Sequence, residues 1–475
     1  MSAPTTTPAT ATANANATAT ATTTSTSTST TAPARRERVW RMAELRQLRD
    51  AGKIYVVIRG GVYHLPQAWT TLHPGGPKVL QHVASTDVTD TVLAFHPPAV
   101  IETMMARFAV GVLDPRDDAT PPISLAYRAL HADLTREGFF APTYGFYVRE
   151  FLKCGMLLAL AVAALVWGPA SYVTYTASAL AMAALWHQAA FIAHDIGHQE
   201  LTGRVETDRL VGILLADLCG GLSLGWWKHN HNVHHVETND PEHDPDIQHL
   251  PFFAVTTRLF NNLYSSYYNR VMPFDGVARA FVRHQHKLYH LVLSFGRFNL
   301  YVQGFRYLLG PWAPHRGLEL TCLALFWLWF TTLLRTTLPT WPALLYYVWL
   351  SHAATMFLHL QITLSHFGMN TDTPPNEDFV SKVFRTTMDV ACPPWMDWFH
   401  GGLQFQIEHH LFPRLPRARY RAVQPRAVAL ARQFGCEFHN YGFVEGNRVV
   451  LGVMGEVARQ VGHVMATDPK KALAH

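Results

Sequence analysis

Three short stretches of the chain carry histidines at the spacing of metal ligands. The first ends in His194 and His198, one helical turn apart. The second, WWKHNHNVHH, and the third, QIEHH, share one pattern: His231, His234 and His235 in the second, and Gln406, His409 and His410 in the third. On a helix such positions share one face. Imidazole nitrogen binds iron, copper, zinc or nickel, so the stretches predict a metal centre.

The number of histidines bears on how many metal ions the centre holds. The seven imidazoles exceed the four ligands that a single zinc ion takes, so two metal ions are the simplest account. A lone HxxxH pair is more often one polar face of a helix. Three such stretches in one chain, each close to a hydrophobic segment, favour the metal centre.

Long apolar segments must position the histidine stretches. Residues 154–193 contain no Asp, Glu, Lys or Arg, which is enough for two spans at about 20 residues each. A second apolar region covers 320–334 and 336–371. We therefore predict an α-helical multi-pass membrane protein with four spans near 152–168, 171–193, 318–338 and 342–366. Two hairpins would return all the histidine stretches to one face, and the basic residues that flank the spans predict that this face is cytosolic.

Composition supports a membrane protein over a soluble one. The chain has 475 residues, of which 49% are apolar and 15% charged, whereas soluble chains carry about 25% charged residues. The net charge of +5 is too small to favour nucleic acid as a partner. The five cysteines form no CxxC pair, which predicts reduced domains facing the cytosol.

The segments around the membrane domain, 151–443, are predicted separately. Residues 1–34 are a Thr-, Ala- and Ser-rich tail whose low hydrophobicity predicts disorder. Residues 115–150 are predicted to be a polar linker, and 444–475 a soluble tail. Within the membrane domain, the interrupted apolar run at 211–227 predicts a helix that lies in the membrane interface.

Residues 35–114 are predicted to form a small α+β domain. Two short strands, Ile54–Ile58 and Val62–Leu65, are joined by a turn at the two glycines between them. The segment HPGG follows, beginning at His73, and a second histidine, His96, lies further along. The glycines of HPGG allow the backbone to pass close to a flat ligand.

This small domain resembles cytochrome b5, on its strand pattern, its HPGG segment and the spacing of its second histidine. The resemblance implies one haem b with His73 and His96 as axial ligands. The three histidine stretches resemble those of the membrane desaturases, whose di-iron centre is held by histidines. Gln406 in place of a first histidine resembles the front-end branch, whose members carry their own cytochrome b5 domain. The resemblance covers about 53–443.

The desaturase resemblance implies two iron ions and no catalytic residue separate from the metal centre. The implied ligands are His194, His198, His231, His234, His235, His409 and His410. His366, at the cytosolic end of the fourth predicted span, resembles an additional ligand of the family. Three roles stay open for Gln406: ligand, holder of a ligand water, or neighbour of the ligands. Residues expected to orient the ligands are Asp195, Asn232, His243, His400 and Glu408.

The resemblance also implies a reaction. Such enzymes remove hydrogen from an unactivated methylene of a lipid in the bilayer, with O2 as co-substrate. Two electrons come from outside, and a fused cytochrome b5 domain matches that need. The implied donor is an NAD(P)H-dependent cytochrome b5 reductase, and the implied location is the endoplasmic reticulum membrane. Spacing alone does not separate a desaturase from a lipid hydroxylase on the same scaffold, or from a membrane electron carrier.

Three tracts bear on the substrate. Residues 226–235, 241–251 and 392–413 resemble the sphingolipid Δ8 desaturases, most closely the fungal ones. This implies a double bond at the Δ8 position of the sphingolipid long-chain base. Front-end fatty acid Δ6 and Δ5 desaturases share the histidine stretches and much of the third tract, and they remain the alternative.

Overall fold

A small mixed sheet opens the part of the chain that the computed structural model describes, residues 38–73 and 75–467. The tail predicted at 1–34 and the end of the chain from 468 lie outside the described residues. The strands are β1 (Val39–Trp40), β2 (Ile54–Ile58), β3 (Gly61–Leu65) and β4 (Ala109–Leu113), in the order β1-β4-β3-β2. The predicted strand pair is confirmed, and its turn lies at Arg59 and Gly60, both with positive φ.

Four short helices pack on this sheet. They are α1 (Met42–Asp50), α2 (Gln67–Thr70), α3 (Pro77–His82) and α4 (Thr89–Phe95), followed by π and 3-10 turns over Val100–Met104 and Met105–Phe108. Alternation along β2 sends Val56 and Ile58 into one buried cluster and Tyr55 and Val57 into another. Both faces of the sheet are therefore covered, as a small α+β domain requires.

The segment predicted as a polar linker contains helix α5 (Pro122–Arg136). Its apolar side chains Ile123, Tyr127 and Leu134 are buried in a cluster with residues from the last hundred positions of the described chain. The segment is therefore packed structure, because its apolar residues recur along one helical face.

The first membrane hairpin follows as α6 (Tyr144–Trp167) and α7 (Tyr172–Gly197). Ser171 caps α7 by accepting a hydrogen bond from the Thr174 amide. Only 22% of the apolar window of α6 is buried, so most of this helix turns apolar side chains outward, as contact with lipid requires. Helix α7 carries the hairpin directly into the first histidine stretch.

The prediction of a single interfacial helix over 211–227 is wrong. Helix α8 (Val205–Ile213) continues as a π-helix (Leu214–Cys219), and α9 (Leu224–Val236) then starts in a new direction, 113° away. Gly221 takes a φ of +71° at the break, and Ser223 caps α9 by accepting from the Trp226 amide. The interruptions seen in the sequence divide the run into two helices, with the break at Gly221 and the new cap at Ser223.

A polar region then precedes the second membrane hairpin. It contains the short pair β5 (Tyr264–Ser265) and β6 (Arg270–Val271) and the helices α10 (Gly276–Leu293) and α11 (Gly296–Leu308). The hairpin consists of α12 (Arg316–Thr337), α13 (Trp341–Ala353) and α14 (Met356–Phe367). Helices α13 and α14 together form one span, so the four predicted spans are confirmed by length and composition.

Further helices and strands follow the second membrane hairpin. They are α15 (Phe379–Thr386), β7 (Asp389–Ala391), α16 (Asp397–His400), α17 (Gln406–Leu411), α18 (Tyr420–Gln433), β8 (Asn440–Gly442) and α19 (Phe443–Thr467). Strands β7 and β8 pair in parallel. The segment predicted as a soluble tail begins as α19, which buries Val450, Met454 and Val461 against its neighbours.

Candidate metal centre and haem site

Four helices bring the histidines together. His194 lies on the last turn of α7 and His198 directly after it, while α9 carries the second stretch and α17 the third. His366 lies on the last turn of α14. Short local spacing therefore sets which histidines share a helix face, and the packing of the four helices sets which faces meet.

The imidazoles form two clusters. One ring nitrogen from each of His194, His198, His231 and His409 lies within 4.8 Å of the others. The same holds for His234, His366 and His410. Each cluster draws on at least three helices, and together they contain every predicted histidine ligand except one.

His235 is that remaining ligand, and it lies between the two clusters. Its ring centroid is 4.9 Å from that of His198, 4.6 Å from that of His409 and 4.2 Å from that of His410. Its Nε2 atom lies 3.0 Å from Nε2 of His231. The two clusters are therefore adjacent parts of one centre.

The state of the ring nitrogens fits metal binding. Within the described residues, Nε2 of His194, His198, His409 and His410 is buried and has no hydrogen-bond partner. Burial lowers the pKa of His409 and His410 well below the ordinary value, so these rings are neutral. Neutral imidazoles with unpaired, converging lone pairs are what a bound cation would satisfy.

Neighbouring groups hold the opposite edge of several rings. The Asp244 carboxylate lies 2.9 Å from Nδ1 of His234, and the Thr386 carbonyl lies 3.2 Å from Nδ1 of His366. Oxygen acceptors at Nδ1 place the proton there, which leaves Nε2 free for a metal ion.

Tyr420 performs the same task for His409. Its hydroxyl donates to Glu200 at 3.3 Å and lies 2.9 Å from Nδ1 of His409. Because the Tyr420 proton is used on Glu200, its oxygen accepts from Nδ1–H of His409. The Nε2 lone pair of His409 therefore faces the cluster.

Gln406 is buried at the start of α17, and its side chain interacts with that of His366. This contact places the amide beside the second cluster. It agrees with each of the three roles left open by the sequence, because a ligand, a holder of water and a neighbour of ligands would all lie here.

The residues expected to orient ligands divide into two groups. Asp195 lies 3.5 Å from Nδ1 of His194 and also pairs with Arg417. His243 instead hydrogen-bonds to Ser266, and its ring packs on that of His82 in the small domain. His400 packs on Phe399 and Phe443.

Asn232 and Glu408 lie on helices that carry ligands, but they face elsewhere. The Asn232 amide approaches the backbone of Gly75 in the small domain. Glu408 interacts with the buried Asp389 carboxyl group, and burial beside Asp389 raises the pKa of Glu408 well above its ordinary value. Glu408 is therefore a neutral partner of Asp389.

Two further residues of the site had no signal in the sequence beyond their position. Trp227 packs its ring on those of His194, His198 and His231. Tyr420 lies outside all three histidine stretches. Only its contact with His409 identifies it.

The small domain presents its own pair of histidines. The ring centroids of His73 and His96 are 5.9 Å apart. Burial lowers the pKa of His73 to about 3 and that of His96 to about 4, and Nδ1 of His96 is buried without a hydrogen-bond partner in the described chain. Two neutral imidazoles facing each other across a narrow gap fit axial ligation of a haem.

Comparison with known families agrees with this geometry. The family model described as "Fatty acid desaturase" matches residues 169–442, which include all three histidine stretches and His366. The chain belongs to the fatty acid desaturase family. A second model, "Cytochrome b5-like Heme/Steroid binding domain", matches residues 41–114 of this desaturase and includes His73 and His96. The family implies iron in the histidine clusters, and the domain implies haem.

Relatives resemble the desaturase over most of its length. A "Delta 8-(E)-sphingolipid desaturase" of Komagataella phaffii is 37% identical, over 88% of this chain and 93% of the relative. One of the same name from Kluyveromyces lactis is 46% identical, over 72% of this chain and 60% of the relative. A "Delta(8)-fatty-acid desaturase 2" of Arabidopsis thaliana is 35% identical, over 90% and 94%. The desaturase is thus an oxidoreductase that acts with a haem domain of its own.

Proposed function

We propose that this desaturase introduces a double bond at the Δ8 position of a sphingolipid long-chain base. The observation that carries the proposal is the Komagataella phaffii relative, whose name states this activity and which aligns with both domains of the chain. Further fungal relatives carry the same name. The alternatives, a front-end fatty acid Δ6 or Δ5 desaturase and a lipid hydroxylase, have no comparable support.

The residues that would hold two iron ions follow from the clusters. His194, His198, His231 and His409 would hold one ion, and His234, His366 and His410 the other, with His235 between them. Bound there, iron supplies the one-electron chemistry with O2 that breaks unactivated C–H bonds. Gln406, beside His366, would complete the second group as a ligand or through a water.

The protein contributes orientation and exclusion of water. Asp244, Tyr420 and the Thr386 carbonyl fix the proton on the outer nitrogen of three imidazoles. Trp227 covers the first cluster with an apolar ring. A dry, rigid site protects a reactive centre from side reactions with water.

Electrons and location complete the proposal. Formation of one double bond consumes one O2, two electrons and two protons and releases two waters. We infer that a haem b between His73 and His96 passes the electrons singly, supplied by an NAD(P)H-dependent cytochrome b5 reductase. The four spans and the basic residues beside them support an endoplasmic reticulum membrane protein with the haem domain and the histidine clusters on the cytosolic face.

Lipid analysis after expression tests the function. The chain, produced in a host that makes ceramide without Δ8 unsaturation, should yield long-chain bases two mass units lighter with the double bond at Δ8. The variant His409→Ala serves as the inactive control. A product bearing a hydroxyl group would support the hydroxylase, and new double bonds confined to fatty acyl chains would overturn the sphingolipid substrate.

A further inference from the structure

The haem domain lies directly on the helix that carries the second histidine stretch. Gly76 has a φ of +85°, and a Cβ atom added there would lie 2.8 Å from Nδ1 of His229 on α9. A Cβ added at Gly75 would lie 3.5 Å from the Asn232 amide nitrogen. The sequence assigns the glycines to a flat ligand, and at Gly76 the structure adds a second reason: the positive φ and the short distance to His229 favour glycine where this loop approaches α9.

One side chain of the haem domain reaches the metal centre itself. The ring of Phe95, the last residue of α4, meets the imidazole of His235 edge to face, with centroids 5.6 Å apart and an interplanar angle of 87°. Aromatic rings favour this arrangement. Phe95 directly precedes the haem ligand His96 in the chain. The neighbour of a proposed haem ligand therefore contacts His235 of the metal centre.

Contacts on several sides hold the domain in this orientation. The Lys78 ammonium group donates to the Ser266 carbonyl and to the side-chain oxygen of Asn269 at 2.7 Å. The Trp312 indole donates to the Thr71 carbonyl at 3.0 Å. These partners lie on different elements, so the domain is fixed against rotation as well as separation.

A further pair holds the side of the domain nearest Phe95. Arg128 of α5 donates to the buried carboxylate of Asp90, which lies on the same helix as Phe95. Helix α5 therefore joins α4 to the membrane domain. The packed α5 explains how a segment predicted as a linker contributes to docking.

We propose that Phe95 positions the docked haem domain for electron transfer to the metal centre through His235. The family resemblance supplies a fused electron carrier, and the contact residue, its partner and the docked orientation come from the geometry. Each transfer oxidises one ferrous haem to ferric and reduces the metal centre by one electron. Two transfers serve one turnover, with electrons drawn from a reduced nicotinamide through a flavin-type or similar reductase.

The test follows the haem rather than the lipid product. The full-length protein, loaded with haem and iron, is reduced with dithionite and mixed with O2 and ceramide, and the haem absorption band reports reoxidation. Phe95→Ala opens a gap beside His235, and reoxidation should slow by about 10- to 100-fold, the range for residues that position metal ligands. Haem content, the haem spectrum and iron content should stay at their wild-type values.

Two further variants make the result specific. Phe95→Leu keeps apolar volume without the ring and should fall between Phe95→Ala and the wild type. Met104→Ala removes an exposed apolar side chain of the same domain, 41% exposed, and should reoxidise at the wild-type rate. If Phe95→Ala loses haem, the rate of haem reoxidation in Phe95→Leu tests the proposal instead. A slowed rate in Phe95→Leu supports the role of the contact, and a wild-type rate overturns it.

A bypass separates electron transfer from structural damage. A fully reduced metal centre holds the two electrons for one turnover, so dithionite-reduced Phe95→Ala should give a first turnover at the wild-type yield while later turnovers are slow. A first turnover that falls together with the later ones would show that Phe95 serves the metal site itself, and this would overturn an electron-transfer role.

The proposal rests on the proposed desaturase function, and the readouts keep the two apart. In one outcome, haem reoxidation depends on Phe95 but the product is not a Δ8 long-chain base. This result would overturn the proposed substrate and retain the role of the Phe95 contact. A Δ8 product together with haem reoxidation that is equally fast in Phe95→Ala would retain the function and overturn the contact.

Discussion

The proposed haem site and the proposed metal centre of this desaturase would bind metal with the same side chain, but they are built differently. The haem site takes His73 and His96 from one small domain, whose sheet and short helices lie within about eighty residues of sequence. The proposed metal centre takes its histidines from α7, α9, α14 and α17, which span more than two hundred residues. One site depends on local folding, whereas the other depends on how two membrane hairpins and the segments below them pack.

The difference predicts that each site can be lost without the other. The two sites touch through Phe95 and His235, yet no histidine belongs to both. Variants that remove a ligand from one site therefore test whether the sites fold independently, and variants of the surrounding residues test how far each site depends on its support.

The largest expected effect follows from removing a ligand of the metal centre. His409→Ala takes one imidazole from the first cluster and leaves the remaining nitrogens converging on an incomplete site. Product formation should fall by more than about 100-fold, beyond the usual loss for residues that only orient ligands. Iron per protein should fall, and the haem spectrum should be unchanged.

The control for this prediction is His290→Ala, which removes an exposed histidine from α10. It should retain both iron and activity. Loss of the haem spectrum in His409→Ala would contradict the independence of the two sites.

The next effect is the loss of the haem. His96→Ala should abolish a low-spin b-type spectrum, because two axial imidazoles are needed for that state. Iron content should remain, and product should be limited to the single turnover allowed by chemical reduction of the metal centre. Absorption spectra, iron analysis and lipid analysis of one preparation measure all three.

His64→Ala is the matched control in the haem domain, because His64 lies on β3 and stacks on Tyr55 rather than facing His73. Its haem spectrum should match the wild type. An unchanged spectrum in His96→Ala would remove His96 as a ligand.

Gln406 should give a smaller and graded effect. Gln406→Leu keeps bulk but removes the amide that lies beside His366, and activity and iron content should fall by about 10- to 100-fold. Gln406→His restores a metal-binding nitrogen and should retain iron and part of the activity. Full activity in Gln406→Leu, measured as product per bound iron, would show that the side chain has no part in the metal centre.

The smallest effect concerns support for one ligand. Tyr420→Phe leaves Nδ1–H of His409 buried without its acceptor, which costs about 1–3 kcal/mol of folding stability. Activity should fall by about 10-fold, with less iron retained during dialysis against a chelator. Tyr441→Phe removes a hydroxyl group that lies 3.5 Å from His439, away from the clusters, and should behave as wild type. Equal iron loss in both variants would contradict the role of Tyr420.

Sequence alone determined the parts that depend on local pattern. The 0, 3, 4 spacing placed His231, His234 and His235 on one helix face, and the apolar runs gave four spans. The sequence-based prediction failed where packing interrupts a pattern. The run at 211–227 breaks at Gly221. The polar segment at 115–150 forms α5, because its apolar face packs against residues distant in the sequence.

Tertiary structure alone decided which histidines share a cluster. His194 joins His409, His366 joins His234, and His235 lies between the two clusters. Helical periodicity fixes neighbours three and four residues apart, but it carries no information on which faces of distant helices meet. The contact of Phe95 with His235 has the same origin, because it requires the docking of a separate domain, and the shapes that allow docking exist only in the folded chain.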